Sequence, residues 1–131
     1  MSQEPATVTV EELDVFTDER GTVFNPVEIS AFTGQKNLHV VTSRPQAVRG
    51  NHYHPLGTEI LVVVGPALMR IRETDGLRDI DIPARAVYRL TIPPGVSHAV
   101  KHTGPDDGLI LSFNSMGYDP EHPDVVQDIL L

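Results

Sequence analysis

Ten glycines and eleven prolines are scattered along 131 residues instead of being gathered into one linker. That punctuation restricts the chain to short, sharply turned segments and leaves little room for long helices. Between the breaks lie β-branched, alternating runs at residues 7–10, 22–29, 37–42, 47–53, 59–64, 67–72, 86–92, 97–102 and 109–113. Each reads as a strand. The connections carry turn residues, as in Asp18-Glu19-Arg20-Gly21, Gly65-Pro66, Thr74-Asp75-Gly76 and Pro93-Pro94-Gly95, which predicts antiparallel strands joined in sequence. Only the C-terminal tail reads as helix: Val125, Val126, Ile129 and Leu130 fall at helical spacing behind Pro123 and Asp124, and an acidic residue suits a helix start. A chain of this many strands must hide its sheet edges, and a jelly-roll β-barrel is one way to do so.

The length is that of one ordinary domain, so residues 1–131 are expected to form a single unit with a real core. Eighteen acidic residues against ten basic ones give a net charge of -8, which argues against a nucleic-acid partner. An anionic small ligand would then need local arginines, and Arg44, Arg49, Arg70 and Arg72 are the candidates. There is no cysteine, so any metal must be held by imidazole and carboxylate. The N-terminal residues carry no basic and apolar leader, and the longest aliphatic run, residues 60–64, is too short to span a bilayer. A cytoplasmic protein without membrane attachment is expected.

The stretch from Arg49 to Glu59 is the most informative. If residues 47–53 form a strand that runs on into His54, period-two alternation puts His52 and His54 on one face, where both can reach one ion. Glu59 opens the next strand and offers a carboxylate. A His-x-His pair is weak evidence alone. About forty residues on, Pro93-Pro94-Gly95-Val96-Ser97-His98 delivers a further histidine from a tight turn into a strand. Three neutral imidazoles and one carboxylate leave open coordination positions, as a catalytic ion requires. The donor set accommodates zinc, iron, manganese or nickel, and the residues alone do not rank them. His102, four residues after His98, shares its strand face if the strand is regular. It is a candidate general acid or base, or else a hydrogen-bonded histidine behind the ligands. Arg49, Arg70 and Arg72 are candidate substrate clamps, whereas His39 and His122 read as incidental.

The pattern His-x-His-x4-Glu followed by Pro-x-Gly-x2-His resembles the paired signature motifs of cupins, which implies a cupin β-barrel and a metal held by His52, His54, Glu59 and His98. One departure accompanies it: five residues separate Glu59 from Gly65, where cupins usually have six, and a one-residue slip would turn a side chain to the other face. Gly34-Gln35, Arg49-Gly50-Asn51-His52-Tyr53-His54, Ile92 to His98 and Tyr118-Asp119-Pro120-Glu121-His122-Pro123-Asp124 together resemble the C-terminal cupin domain of capsular-polysaccharide reductase/epimerases. More loosely, the chain is similar to dTDP-4-dehydrorhamnose 3,5-epimerases and dTDP-sugar 3,4-ketoisomerases. The resemblance implies one divalent ion, zinc first. It also implies a nucleotide-linked keto sugar as small-molecule substrate, epimerisation or isomerisation beside its ketone, and a homodimer paired through N-terminal strands. In the epimerases the first histidine of the pair is the base, which by that analogy would fall on His52 and conflict with a ligand role. A cupin dioxygenase, another small-molecule cupin enzyme and a non-catalytic binding module are the alternatives to an isomerase.

Overall fold

A computed structural model describes residues 7–28 and 34–131. Among these residues the chain forms twelve strands: β1 Thr9–Glu12, β2 Phe16–Asp18, β3 Gly21–Val23, β4 Asn37–Ser43, β5 Val48–Tyr53, β6 Glu59–Val64, β7 Ala67–Glu73, β8 Gly76–Ile82, β9 Val87–Ile92, β10 Ser97–His102, β11 Gly108–Asn114 and β12 Val126–Gln127. Two five-stranded sheets, ordered β1-β9-β6-β11-β4 and β12-β5-β10-β7-β8, make up most of the molecule, and β2-β3 is a separate hairpin. Of the run expected over 22–29 only Thr22 and Val23 lie in a strand; residues 24–28 do not, and residue 29 lies outside the described residues.

Every ladder is antiparallel, yet only β2-β3 and β7-β8 join neighbours in sequence. From β4 onward the remaining connections carry the chain from one sheet to the other, because each sheet has an apolar face that is removed from water only against its opposite number. Leu61, Val63, Leu90, Ile92 and Ile110 from the first sheet pack with Met69, Ile71, Ile82 and Val100 from the second. This is the jelly-roll arrangement expected from the sequence.

β6 is apolar at every position after Glu59, and the reason is that it is covered twice. Leu61 and Val63 face the barrel interior, whereas Ile60 and Val62 form a second cluster with Val27, Val87 and Phe113, packed by Leu13, Val15 and Phe24. A strand buried on both faces loses the alternation of a half-exposed one.

Two expectations are corrected. β8 was not foreseen, because Arg78, Asp79 and Asp81 make residues 76–82 read as loop; Asp79 and Asp81 are the charged outer side of an edge strand whose inner positions include Ile80 and Ile82, with Arg78 at the end of that inner face paired to Glu73. The C-terminal helix does not form. Instead β12 pairs with β5, Val126 opposite Tyr53 and Gln127 opposite His52. The backbone N–H of Asp128 donates to the Asn51 carbonyl at 2.8 Å, and those of Leu130 and Leu131 donate to Asn51 Oδ1 at 2.8 and 3.1 Å. The tail thus satisfies its donors on the free edge of β5. Val125, Val126 and Ile129 stay 44, 40 and 62% exposed, so the apolar stripe a helix would present is not buried here.

Candidate metal centre

The site is built from three strands and one irregularity. Within β5 the register against β10 shifts: His52 pairs with His98, but Gly50 pairs with Ala99 and Arg49 with Val100. Asn51 is therefore the extra residue of a β-bulge, with φ of 60° beside Gly50 at 87°. In a regular strand, residues three apart face opposite ways. The bulge restores them to one face, so Arg49 and His52 both look inward with Val100 and His98. A Cβ on Gly50 would lie 2.7 Å from the His98 carbonyl oxygen, which is why glycine stands there.

His54 follows the end of β5, its carbonyl accepting from the N–H of Gly95 at 2.8 Å. Glu59 opens β6 on its inner face, two positions before Leu61, and pairs without a slip to Ile92 and Asn114. The short spacing to Gly65 therefore leaves the Glu59 side chain inside the barrel. One donor atom from each of His52, His54, Glu59 and His98 lies within 4.8 Å of the others, and the three imidazole centroids are 4.9, 5.0 and 5.7 Å apart.

The hydrogen bonds behind these rings dictate what stands between them. His98 Nδ1 donates to the Val96 carbonyl at 3.0 Å and His54 Nδ1 to the Asp124 carbonyl at 2.7 Å. A carbonyl only accepts, so both Nδ1 atoms carry hydrogen and a neutral ring presents a bare Nε2 lone pair inward. The Nε2 atom of His54 lies 3.0 Å from Glu59 Oε2, and that of His98 lies 3.0 Å from Glu59 Oε1. Buried His98 Nε2 has no partner in hydrogen-bond geometry despite that distance. Lone pairs facing a carboxylate repel unless protons or a cation intervene, and four converging donors fit a divalent cation.

The charges of the metal-free cluster agree. Burial would raise the Glu59 carboxyl, but His54 and then His98 outweigh it and hold the group well below the usual carboxylate range. Burial, followed by the charges of His98 and His54, pushes His52 down to about 4. Burial also opposes charge on His54, but its hydrogen bond to the Glu59 carboxylate reverses this and raises it.

The cluster forms a wall shared by two cavities. One, of about 280 Å³, is walled by Val41, Leu61, Val100 and Ile110, with Arg49 contributing its only cationic lining; a guanidinium nitrogen of Arg49 donates to the Thr42 carbonyl at 2.8 Å. The other, of about 190 Å³, lies on the far side of Glu59 and is lined by His39, His54, Ser112 and the segment around Tyr118 and Asp124. His39 joins the site without having been singled out. Its signal was the alternation of Asn37, His39 and Val41 on the strand face opposite Leu38 and Val40, which pairs it with Ser112.

The other candidates lie elsewhere. Arg70 and Arg72 occupy the face of β7 opposite Met69 and Ile71, where they pair with Asp79 at 2.7 Å and Asp128 at 3.0 Å. Arg44 lines neither cavity. His102 shares the inner face with His98, but four residues of strand set it about 13 Å away. There it is buried in a separate cavity, its Nε2 donating to the Asp106 carbonyl. Tyr53 and Tyr88 lie outside both cavity linings, and exposed His122 pairs with Asp119.

Two facing antiparallel sheets with three histidines and a glutamate converging between them define a cupin. The chain belongs to the family described as polysaccharide biosynthesis C-terminal domain, which it matches over residues 16–126. It is 28% identical over 116 residues to the UDP-2-acetamido-2,6-beta-L-arabino-hexul-4-ose reductase of Pseudomonas aeruginosa, covering 86% of this chain and 30% of that protein. It thus spans under a third of that relative's length. The capsular polysaccharide assembling protein CapF of Staphylococcus aureus superposes with a TM-score of 0.67 at 21% identity, covering 90% of this chain and 34% of that one. The QdtA 3,4-ketoisomerase of Thermoanaerobacterium thermosaccharolyticum, in complex with TDP, gives 0.70 at 22% identity over 92% of this chain and 87% of its own. The dTDP-4-dehydrorhamnose 3,5-epimerase of Sulfolobus tokodaii gives 0.70 at 23%, covering 88 and 74%.

Proposed function

We propose that this protein is a metal-dependent isomerase or epimerase acting beside the ketone of a nucleotide-linked keto sugar, in polysaccharide or natural-product assembly. The observation that carries the reading is the meeting of His54 and His98 lone pairs, each aimed by a backbone carbonyl, with His52 and buried Glu59 on a cavity wall. Family membership and the keto-sugar enzymes among the structural neighbours support the substrate class.

His52, His54, Glu59 and His98 would hold the ion. When bound, a divalent cation supplies Lewis acidity toward a carbonyl oxygen, favouring the charge that develops as the adjacent proton leaves. The chain's own residues do the rest. Arg49, at the rim of the apolar cavity, grips the diphosphate as a planar donor pair. Val41, Leu61, Val100 and Ile110 keep that cavity dry, which strengthens the electrostatics within it. Asp124 and Val96 hold the His54 and His98 rings in the tautomer that faces the centre.

Elemental analysis of the purified chain tests the site. About one equivalent of zinc, or of another divalent metal, is expected for wild type, falling below one tenth for His98→Ala and His52→Ala. A full equivalent retained by either variant removes the centre. Deuterium exchange from solvent into UDP- and dTDP-4-keto-6-deoxyhexoses then tests the chemistry. A rate unchanged in the absence of oxygen separates an isomerase from the dioxygenases that use a similar donor set.

A further inference from the structure

We infer that His39 is the residue that carries the proton in this site, facing the metal ligands across the smaller cavity; the assignment rests on the isomerase reading above. β4 brings His39 to the inner face opposite Ser112, whose hydroxyl donates to Glu59 Oε2 at 3.2 Å. β4 stands two strand spacings, about 10 Å, from β6. With β11 between them, the cavity of about 190 Å³ against this inner face touches His39, His54, Glu59 and Ser112 together. A hexose ring seated there would have the metal ligands on one side and the imidazole on the other.

Apart from exposed Tyr118, the other groups able to move a proton are already engaged. His54 and His98 are committed through both ring nitrogens, and His52 completes the donor set. The Asp124 carboxylate accepts from the N–H groups of Leu56 and Gly57 at 2.9 and 2.8 Å. The Asp119 carboxylate accepts from the N–H of Glu121 and from His122. His102 is in another cavity, tied to Asp106. His39 makes no hydrogen bond or ion pair among the described residues, so its imidazole is available, and imidazole is the commonest proton carrier in enzyme sites.

The step is balanced. The C–H bond next to the ketone breaks, its electron pair becomes the C=C bond of an enolate as the carbonyl pair moves to oxygen, and the proton passes to a His39 ring nitrogen. Return of the proton to the same carbon on the other face, or to the neighbouring carbon, reverses the flow.

The test uses the full chain loaded with zinc, UDP- and dTDP-4-keto-6-deoxyhexoses as probes, and solvent deuterium wash-in as readout. His39→Asn and His39→Gln are expected to slow exchange by at least about 100-fold, with KM within three-fold of wild type and zinc content and melting temperature unchanged. In wild type, the sugar nucleotide should also shield His39 from carbethoxylation by diethyl pyrocarbonate, read by peptide mass. Exchange within three-fold of wild type in either variant overturns the assignment. An unshielded His39, or an equal loss in a zinc-replete His102→Asn, does the same. In those cases the isomerase reading stands, whereas a wild type inert toward both sugars removes reading and assignment together.

Discussion

Gly50 and Asn51 do more to shape the site than any of the ligands, because the bulge they form turns Arg49 and His52 to the same side. Gly50 adopts a φ of 87°, and a Cβ there would press on the His98 carbonyl oxygen at 2.7 Å. Gly50→Ala must therefore pay the left-handed conformation and displace the backbone of His98. Urea denaturation should show a loss of about 1–3 kcal/mol, accompanied by weaker metal binding; a change under 0.5 kcal/mol would mean that the bulge relaxes freely. The motif Arg-Gly-x-His was legible in the sequence as a pattern. Its geometric purpose was not, since alternation alone puts Arg49 and His52 on opposite faces.

At the scale of elements, the C-terminal tail acts as a strap across β5. It pairs through β12, accepts from Arg72 at Asp128, and closes on both amide atoms of Asn51. At its start, Asp124 caps two backbone N–H groups of the loop between His54 and Glu59 with its side chain, while its carbonyl orients the His54 ring. Removing such an outer partner commonly weakens metal binding by about 10–100-fold. Asp124→Ala keeps the carbonyl behind His54 but removes both loop caps, so a loss at the lower end of that range is expected in competition with a chromogenic chelator, and an affinity within two-fold of wild type would make the loop self-supporting. The spacing of Val125, Val126, Ile129 and Leu130 misled because periodicity reports only which residues share a face of a helix. Whether a helix or a strand wins depends on where the backbone donors find acceptors, and here the edge of β5 supplies them.

For the whole molecule, the buried cluster joins strands from both sheets, so a bound ion should stabilise the fold globally. Metal at about a thousand times its dissociation constant contributes about 4 kcal/mol, or about 15 °C in Tm for a chain of this size. Thermal scans with zinc and with chelator should differ by that much, and coincident curves would exclude a structural contribution. The difference should shrink as pH falls: Glu59 holds the His54 proton more tightly than usual in the metal-free site, so acid favours the proton over the ion. His52, neutral down to about pH 4, does not set that limit. By itself the sequence determined most of the strand runs, the turns and the identities of the four converging donors, because alternation and Gly/Pro punctuation are local properties that β-strands obey one at a time. Only the tertiary structure decided that Glu59 faces inward despite its short motif, that Arg70, Arg72 and His102 lie away from the cluster, and that His39 borders it. Those outcomes depend on which strands pair across the barrel, and that pairing is settled by burying two apolar faces at once.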